Sequence, residues 1–260
     1  MAELITRKEG ALGWIIFSNL PKHNAMTFDM WDGLPKAFAA FEADPEVRAV
    51  VLAGDGEKAF VSGADISQFE AKRGTADAQA VYNTAVELAY ESPARCTKPV
   101  IAKIRGFCMG GGLGLAVGCD IRIACDDATF RMPAARMGLG YNYVGLKRFV
   151  DVMGSANTAD IFLSARKFGA ADALAMGMVN KVVPLAQFDA EVLAYAEMVA
   201  ENAPLTMHAA KQTIQQIMGD ESRRDLAALQ KMVDACFASA DYKEGRTAFM
   251  EKRTPNFRGA

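Results

Sequence analysis

Short apolar runs alternate with helically spaced apolar residues in the first half of the chain. The runs predict buried strands, and the helical spacing predicts amphipathic helices between them. The predicted strands cover residues 13–17, 47–52, 99–104 and 120–124. The predicted helices cover residues 28–42, 76–90 and 113–117. Thr27 is placed to cap the first helix. Strands that alternate with helices in this way predict an α/β core.

The pattern changes after about residue 144, where the signals become mostly helical. The predicted helices cover residues 145–152, 156–163, 170–176, 187–201, 205–218, 221–238 and 241–252, with one strand at residues 180–183. We therefore divide the chain into a core of residues 1–195 and a C-terminal helical region of residues 196–260. The helical region is expected to pack on the core or on a neighbouring subunit.

Composition and charge exclude several classes of partner. The 260 residues carry a net charge of −2, which supplies no basic field for a nucleic acid. No apolar run reaches the ~18 residues of a membrane span, and the first residues lack the charged-then-apolar order of a secretory signal. A cytoplasmic chain without a membrane partner is expected.

Cysteine and histidine usage restricts the available chemistry. Five cysteines without a Cys-x-x-Cys pair are typical of reduced thiols that serve as small core residues. They are Cys96, Cys108, Cys119, Cys125 and Cys236. His23 and His208 are the only histidines, so a histidine-rich metal site or a Ser-His-Asp enzyme has few possible members.

A glycine run at residues 110–112 carries the sharpest chemical signal. It lies in residues 98–120, which read KPVIAKIRGFCMGGGLGLAVGCD. A buried strand enters the glycines and a helix leaves them. Glycine lets the backbone approach a ligand, and the helix N-terminus presents unpaired N–H groups with a partial positive charge. This arrangement suits an oxygen that becomes negative during a reaction, although a tight turn packed on a neighbour explains the glycines alone equally well.

Two weaker segments precede the glycine run, and each alone is an unremarkable loop. Residues 21–26 read PKHNAM, and residues 59–66 read AFVSGADI. In this order and spacing, the three segments resemble the motifs of the crotonase superfamily of enoyl-coenzyme A (CoA) hydratases and isomerases. The tail at residues 249–257, FMEKRTPNF, resembles a common ending of that family. The resemblance covers nearly the whole chain.

The resemblance implies a fold, an assembly and an oxyanion site. Family members form a spiral of strand–strand–helix (ββα) units followed by a helical trimerisation region, and they assemble as a homotrimer or as a homohexamer made of two trimers. They bind the thioester carbonyl with two backbone N–H groups, which fall here on Ala64 and Gly111. The enolate stabilised there is shared by hydration, double-bond shift, decarboxylation and dehalogenation, so the site does not choose among these reactions.

The resemblance also implies how CoA is held. Ser62, Ala64, Asp65 and Ile66 match the strip along the adenine and pantetheine, and Lys22 lies where a basic side chain reaches the phosphates. Lys252 and Phe257 are expected to help close the nucleotide pocket, either of their own chain or of another subunit of the assembly. An acyl-CoA is the expected substrate, with no metal and no cofactor beyond its CoA moiety.

Two positions depart from the family pattern. A typical hydratase carries one glutamate in the helix after the glycine run and another after a proline. Here these positions are Gly114 and Ala134, the latter following Pro133. Glycine and alanine cannot transfer protons, so hydration by the usual machinery, and isomerisation by a single glutamate, are disfavoured.

Tyr141 and Asn142 offer a different chemistry. The segments at 141–145, 241–245 and 251–257 resemble the methylmalonyl-CoA decarboxylase branch, in which a tyrosine at the position of Tyr141 orients the substrate carboxylate. Asn142 can hydrogen-bond beside it. The match is partial, because that branch carries histidine at the position of Ala64 and glutamate at that of Gly114.

Two further functions stay open. Loss of both glutamates is also expected of a non-catalytic member that binds an acyl-CoA. The glycines at 112, 114 and 118 form an imperfect dinucleotide pattern whose spacing departs from G-x-G-x-x-G, so an NAD(P)-dependent reductase is a weaker alternative.

Overall fold

The computed structural model of the chain describes residues 2–68 and 74–260. Its strands are β1 (Glu3–Glu9), β2 (Leu12–Ser18), β3 (Ala49–Gly54), β4 (Ala59–Val61), β5 (Val100–Ile104), β6 (Phe107–Met109), β7 (Ile121–Cys125), β8 (Thr129–Arg131), β9 (Lys167–Gly169) and β10 (Lys181–Val183). Its α-helices are α1 (Phe28–Ala43), α2 (Ala76–Arg95), α3 (Gly111–Gly118), α4 (Tyr143–Ser164), α5 (Ala170–Ala175), α6 (Phe188–Ala200), α7 (Pro204–Met218), α8 (Leu226–Ala238) and α9 (Ala240–Glu251).

The strands form two sheets, and along the chain from β3 to β8 they alternate between them. The larger sheet has the order β1-β2-β3-β5-β7-β10, with β1 antiparallel to β2 and the other neighbours parallel. The smaller sheet has the order β4-β6-β8-β9. Each of the pairs β3–β4, β5–β6 and β7–β8 places its first strand in the larger sheet and its second in the smaller one. A helix follows each pair, which confirms the predicted spiral of ββα units.

The larger sheet is covered on both faces, as expected for mostly parallel strands. One face packs with α1, α2 and α3 in a core that includes Trp31 and Phe60, both fully buried. On the other face, Phe188 and Val192 of α6 pack on Val51 and its neighbours. Helix α3, which carries most of the glycine run, therefore lies in the main core.

Most of the predicted helix ends agree with the structure to within two residues, but α2 continues past its predicted end at residue 90 to Arg95. The Thr27 side chain accepts a hydrogen bond from the Met30 N–H at 3.3 Å, which confirms the predicted N-cap of α1. The helices predicted at 145–152 and 156–163 are the two arms of α4, which Gly154 interrupts with a φ of 77°. The helix predicted at 221–238 is shorter, because its first residues form a separate 3-10 turn, Glu221–Arg223.

Five of the strands in the structure were not predicted from the sequence. Strand β1 lies at an edge of the larger sheet and is largely exposed, so it lacks an apolar run. The other four, β4, β6, β8 and β9, are three residues long, too short for a period to be recognised. These short strands are the second members of the ββα units, or pair with them.

The C-terminal helices α7, α8 and α9 form the predicted helical region. Lys211 of α7 is buried and donates to the Pro93 and Lys98 carbonyls at 2.8 and 2.9 Å, and it pairs with Asp120 at 2.7 Å. These bonds tie the region to the core. Helix α6 crosses residue 195, so the predicted boundary falls inside a helix that packs on the core; the division stays a prediction. None of the helices in the described ranges is long and apolar enough to span a membrane.

Candidate active site

Asn24 braces the loop that carries the first sequence segment. It adopts the left-handed conformation, with φ of 58°. Its side-chain amide donates to the carbonyls of Asp55 and Ala59 at 2.9 and 2.7 Å, and its oxygen accepts from the Asn19 N–H at 3.0 Å. The asparagine of the PKHNAM segment therefore fixes the backbone beside β4.

This loop is paired with the second segment through the backbone. The Met26 N–H donates to Gly63 O, and the Asp65 N–H donates to Met26 O, each at 2.8 Å. Ala64 lies between these two bonds and is half-buried. Its own N–H has no acceptor among the described residues. A backbone donor is thereby held in a fixed direction at the predicted position.

The second predicted donor lies at the start of α3. Gly110, in the left-handed region with φ of 49°, turns the chain from β6 into the helix, and its N–H donates to Arg131 O at 2.9 Å. Gly111 is the first helical residue, and within the described part of the chain no acceptor faces its N–H. A Cβ on Gly63 would lie 4.0 Å from the Gly111 nitrogen. The turn that carries Ala64 therefore abuts the positive end of α3.

Gly112 allows α3 to approach β4. A Cβ at this position would lie 2.3 Å from the carbonyl oxygen of Val61 and 2.9 Å from its Cβ. Helix and strand could not pack at this distance with any side chain at residue 112. The close packing fixes Gly111 relative to the Ala64 loop, because Val61 ends the strand that leads into it.

Gly114, the position of the first absent glutamate, faces a side chain from another helix. A Cβ on Gly114 would lie 2.6 Å from Cε1 and 2.8 Å from Cζ of Tyr90 in α2. Tyr90 was missed by sequence reasoning, since it belongs to no motif. The unusual glycine was the available signal, because the volume of a lost side chain must be filled by another group.

Ala134, the position of the second absent glutamate, lies in the core. It is 5% exposed and opens the 3-10 turn Ala134–Arg136. The preceding Pro133 has its Cδ 3.7 Å from where a Cβ on Gly110 would lie. The position therefore borders the glycine run and carries no ionisable group.

Tyr141 is half-buried just before α4. Its ring meets Phe162 edge to face, with centroids 5.1 Å apart. Burial raises the pKa of the Tyr141 hydroxyl, so the group is protonated at neutral pH. No hydrogen bond or ring contact among the described residues joins it to Ala64 or Gly111. Its predicted role therefore stays a prediction.

Both the oxygen and the NH2 group of the Asn142 side chain form hydrogen bonds. Its oxygen accepts from the Gly145 N–H at 2.9 Å, which caps α4. Its amide donates to Glu87 Oε1 at 3.0 Å and so links the start of α4 to α2. This geometry favours a role in positioning the loop, while the predicted catalytic role is not tested.

Three of the predicted CoA-binding residues form one connected cluster. Lys22 Nζ pairs with the Asp65 carboxylate at 2.8 and 3.0 Å and donates to Ser67 Oγ at 2.7 Å. The Ser62 hydroxyl donates to the Lys22 carbonyl at 2.9 Å. Ile66 beside them is a large apolar side chain that is 61% exposed. An apolar surface thus borders a charged cluster, which suits an adenine ring next to phosphates.

Asp65 holds the two loops together, and its titration gives a test. Burial alone would raise the pKa of this carboxyl, but the bonds from Lys22 and Ser67 outweigh burial and hold its pKa below the usual range. A carboxyl with a lowered folded-state pKa contributes stability above its unfolded pKa of about 3.9, and loses that contribution as pH falls through the folded value.

Replacing Asp65 with asparagine is therefore expected to lower the unfolding temperature by a few degrees at pH 7. The difference from the wild type should shrink below about pH 4. Thermal unfolding across pH measures this. Asp234→Asn is the control, since that exposed carboxylate accepts from Gln230 and should show no such change. A difference for Asp65→Asn that is the same at pH 3 and pH 7 would contradict the role of the ion pair.

Lys252 and Phe257 lie apart from this cluster within one chain. Lys252 is exposed and ends α9 in the left-handed conformation, with φ of 54°. The ring of Phe257 packs on Gly245, and its carbonyl accepts from Arg48 Nη2 at 3.0 Å. No contact in the described part of the chain joins either residue to Lys22. Their predicted role, exercised from another subunit, stays a prediction.

The cysteines and histidines form no reactive centre. Burial raises the pKa of the Cys96 and Cys119 thiols to about 12, so both are neutral thiols in the core. Across residues 2–68 and 74–260, no group of three or more histidine, cysteine or acidic side chains is arranged to hold a metal ion.

Comparison with known proteins identifies relatives over the whole length. Residues 7–260 match the family model described as enoyl-CoA hydratase/isomerase. The chain is 33% identical over 251 residues to the short-chain-enoyl-CoA hydratase of Clostridium acetobutylicum, covering 96% of this chain and 95% of that protein. It is 33% identical over 261 residues to the crotonyl-CoA hydratase of Syntrophomonas wolfei, covering 98% and 97%. Among solved structures, an enoyl-CoA hydratase/carnithine racemase from Magnetospirillum magneticum superposes with a TM-score of 0.93 at 35% identity, covering 100% of this chain and 97% of that one.

Proposed function

The chain belongs to the enoyl-CoA hydratase/isomerase family, and we propose that it converts an acyl-CoA thioester through an enolate held by the N–H groups of Ala64 and Gly111. The single observation that carries this proposal is that the turn with Ala64 lies against the N-terminus of a buried helix at Gly111, and that neither N–H has an acceptor among the described residues. CoA would lie along Ser62, Asp65 and Ile66, with Lys22 near its phosphates. The reaction would need no metal and no cofactor beyond the CoA of the substrate.

Backbone donors suit this chemistry because they are fixed before the reaction begins. The negative charge of an enolate develops on the thioester oxygen, where fixed N–H groups stabilise it without rearrangement. The positive end of α3 adds to the attraction. The ground-state carbonyl carries less charge, so both effects favour the transition state over the bound substrate.

Gly114 and Ala134 narrow the choice of reaction. Addition of water to a double bond needs groups that hold and activate the water, and neither residue has a side chain for this purpose. The family's usual hydration is therefore disfavoured.

Decarboxylation of a malonyl- or methylmalonyl-type CoA is the more specific candidate. Cleavage of the bond to the carboxylate supplies the electron pair of the enolate, so no base has to remove a carbon-bound proton. The chemistry then needs only the oxyanion site, a fixed carboxylate and a proton donor. Tyr141 would orient the carboxylate or donate the proton in this candidate, and its half-buried position before α4 is compatible with either role.

Two other functions have less support. A dinucleotide would have to contact the backbone of the glycines, but Val61 packs against Gly112 and Tyr90 packs against Gly114. A protein that only binds acyl-CoA would not need two N–H donors for the oxygen of a reacting thioester. The assay of acyl-CoA turnover described next distinguishes such a protein from an enzyme.

A panel of enoyl-, malonyl-, methylmalonyl- and 3-hydroxyacyl-CoA, followed by mass spectrometry, tests the proposal. We expect turnover of at least one thioester, with loss of carbon dioxide from a malonyl-type substrate. Binding of these thioesters without turnover of any would refute the enzymatic proposal and favour the binding protein.

Tyr141→Phe is expected to slow the decarboxylation by about 10²-fold or more, because it removes a hydroxyl that orients the carboxylate or donates the proton. Initial rates measure the effect. Tyr143→Phe is the matched control, since that neighbouring tyrosine is 77% exposed and should retain the wild-type rate. Equal rates for both variants would show that the Tyr141 hydroxyl takes no part.

We also propose that the C-terminal helices mediate assembly into a homotrimer or a homohexamer. Phe249 and Met250 of α9 are 82% and 80% exposed, and Phe237 of α8 is 60% exposed. Such a patch is typical of a protein interface. Light scattering should give three or six times the 28.0 kDa of the chain. A monomer at micromolar concentration would contradict this assembly.

A further inference from the structure

Tyr90 fills the space that a side chain on α3 would otherwise occupy. Its ring atoms Cε1 and Cζ lie 2.6 and 2.8 Å from the Cβ position of Gly114, and its hydroxyl oxygen lies 3.1 Å from that position. The same oxygen lies 3.3 Å from the Cβ position of Gly111. The phenol therefore reaches across the first turn of α3, from the position of the absent glutamate to the predicted oxyanion donor.

The hydroxyl lies close to where an enolate would form. The nitrogen and Cβ of one residue are separated by about 2.5 Å, so the Tyr90 oxygen is within roughly 6 Å of the Gly111 nitrogen. If a thioester oxygen accepts a hydrogen bond from the Gly111 N–H, the carbonyl carbon lies one covalent bond and the α-carbon two covalent bonds from that oxygen. The Tyr90 hydroxyl and the α-carbon of a bound thioester thus share one small region.

Contacts from three elements hold Tyr90 in place. Its ring meets Trp31 of α1 edge to face, with centroids 5.4 Å apart. Its carbonyl accepts from Arg148 Nη1 of α4 at 2.6 Å. That carbonyl also packs on Gly118, where a Cβ would lie 3.0 Å from the oxygen. Such support gives a side chain the fixed position that a proton-transfer group needs.

We propose that the Tyr90 hydroxyl is the catalytic acid of this enzyme, standing in for the missing glutamate of α3 and protonating the α-carbon of the enolate. This inference rests on the proposed enolate chemistry. It leaves Tyr141 the proposed task of orienting the leaving carboxylate.

The step balances without any added reactant. The electron pair of the broken bond to the carboxylate forms the enolate, and carbon dioxide leaves. The enolate α-carbon then takes the proton of the Tyr90 hydroxyl, which restores the thioester carbonyl. The resulting phenolate regains a proton from water.

The test uses Tyr90→Phe, which keeps the ring against Gly114 and Trp31 and removes only the hydroxyl. The probe is methylmalonyl-CoA reacted in deuterium oxide, because the α-carbon of its product carries a methyl group, a hydrogen and the new deuterium and so records the face of protonation. The wild type should deliver deuterium to one face of the α-carbon. In Tyr90→Phe, kcat should fall by about 10²-fold with KM little changed, and deuterium should arrive on both faces because water then supplies it.

Two further variants make the test decisive. Tyr195→Phe, an identical change on α6 against the opposite face of the larger sheet, should keep the wild-type rate and stereochemistry. Gly114→Ala leaves the hydroxyl intact but displaces the Tyr90 ring, so its kcat should also fall even if Tyr90→Phe proved unstable to heat.

A Tyr90→Phe enzyme with the wild-type rate and single-face labelling would overturn the role of Tyr90 while leaving the proposed function standing. Wild-type rates in Gly114→Ala would overturn it equally. A wild type that converts no acyl-CoA would overturn both the proposed function and the inference that rests on it.

Discussion

Replacing Gly111 with proline is expected to lower kcat/KM about 10²- to 10³-fold relative to Gly111→Ala. Proline lacks the N–H that is proposed to bind the thioester oxygen, and losing one such donor costs about 3 kcal/mol of transition-state stabilisation. The first position of a helix tolerates proline, because its fixed φ fits the helix and the missing N–H has no intrahelical acceptor. The loss should therefore be catalytic more than structural.

Gly111→Ala is the matched control for this experiment. Both variants add a Cβ, which would lie 3.1 Å from Cη2 of Trp31 and 3.3 Å from the Tyr90 hydroxyl oxygen. Only the alanine variant keeps the N–H. Steady-state kinetics of the two variants, with thermal unfolding of each, separates the donor from the steric change. Equal kcat/KM in two folded variants would remove Gly111 from the oxyanion site.

Replacing Gly112 with alanine is expected to destabilise the fold by about 3 kcal/mol or more, which is a fall of roughly 6 °C or more in the unfolding temperature. The added Cβ would meet the Val61 carbonyl oxygen at 2.3 Å. That oxygen belongs to the backbone of β4, so a rotamer change cannot relieve the overlap. Helix α3 would have to move away from β4, and the distance between Gly111 and Ala64 would change with it.

Gly33→Ala supplies a control of opposite sign. Gly33 lies inside α1, and a Cβ there would make an ordinary contact of 3.4 Å with Cδ1 of Leu4. Alanine inside a helix is favoured over glycine, so this variant should gain about 1 kcal/mol. Thermal unfolding of the two variants measures both effects. An unfolding temperature for Gly112→Ala equal to that of the wild type would show that α3 is not fixed by its contact with β4.

The larger elements of the fold were predictable because each carries its own local signal. The apolar runs of β3 and β5 and the Thr27 cap of α1 are local, and the structure confirms them. The short strands β4, β6 and β8 were not predictable by period. Their pairing depends on the larger sheet bringing distant segments together, and three residues do not specify it.

The residues of the candidate site also fall into those that the sequence predicted and those that it did not. Ala64 and Gly111 were predicted from the resemblance of their segments to the family motifs, and their role as donors stays a prediction. Tyr90 was not predicted, because its importance arises from the packing of α2 on α3 and no neighbouring residue in the sequence marks it. The sequence shows Gly114 as the position of a missing glutamate. The structure adds that the Tyr90 ring occupies the space that a side chain at residue 114 would need.

A crystal structure with a bound saturated acyl-CoA would show whether the two N–H groups bind the thioester, since this ligand carries no carboxylate to lose and no double bond to hydrate. We expect the thioester oxygen to lie within about 2.7–3.1 Å of both the Ala64 and the Gly111 nitrogen. A thioester oxygen bound elsewhere, with both N–H groups facing water, would contradict the proposed oxyanion site.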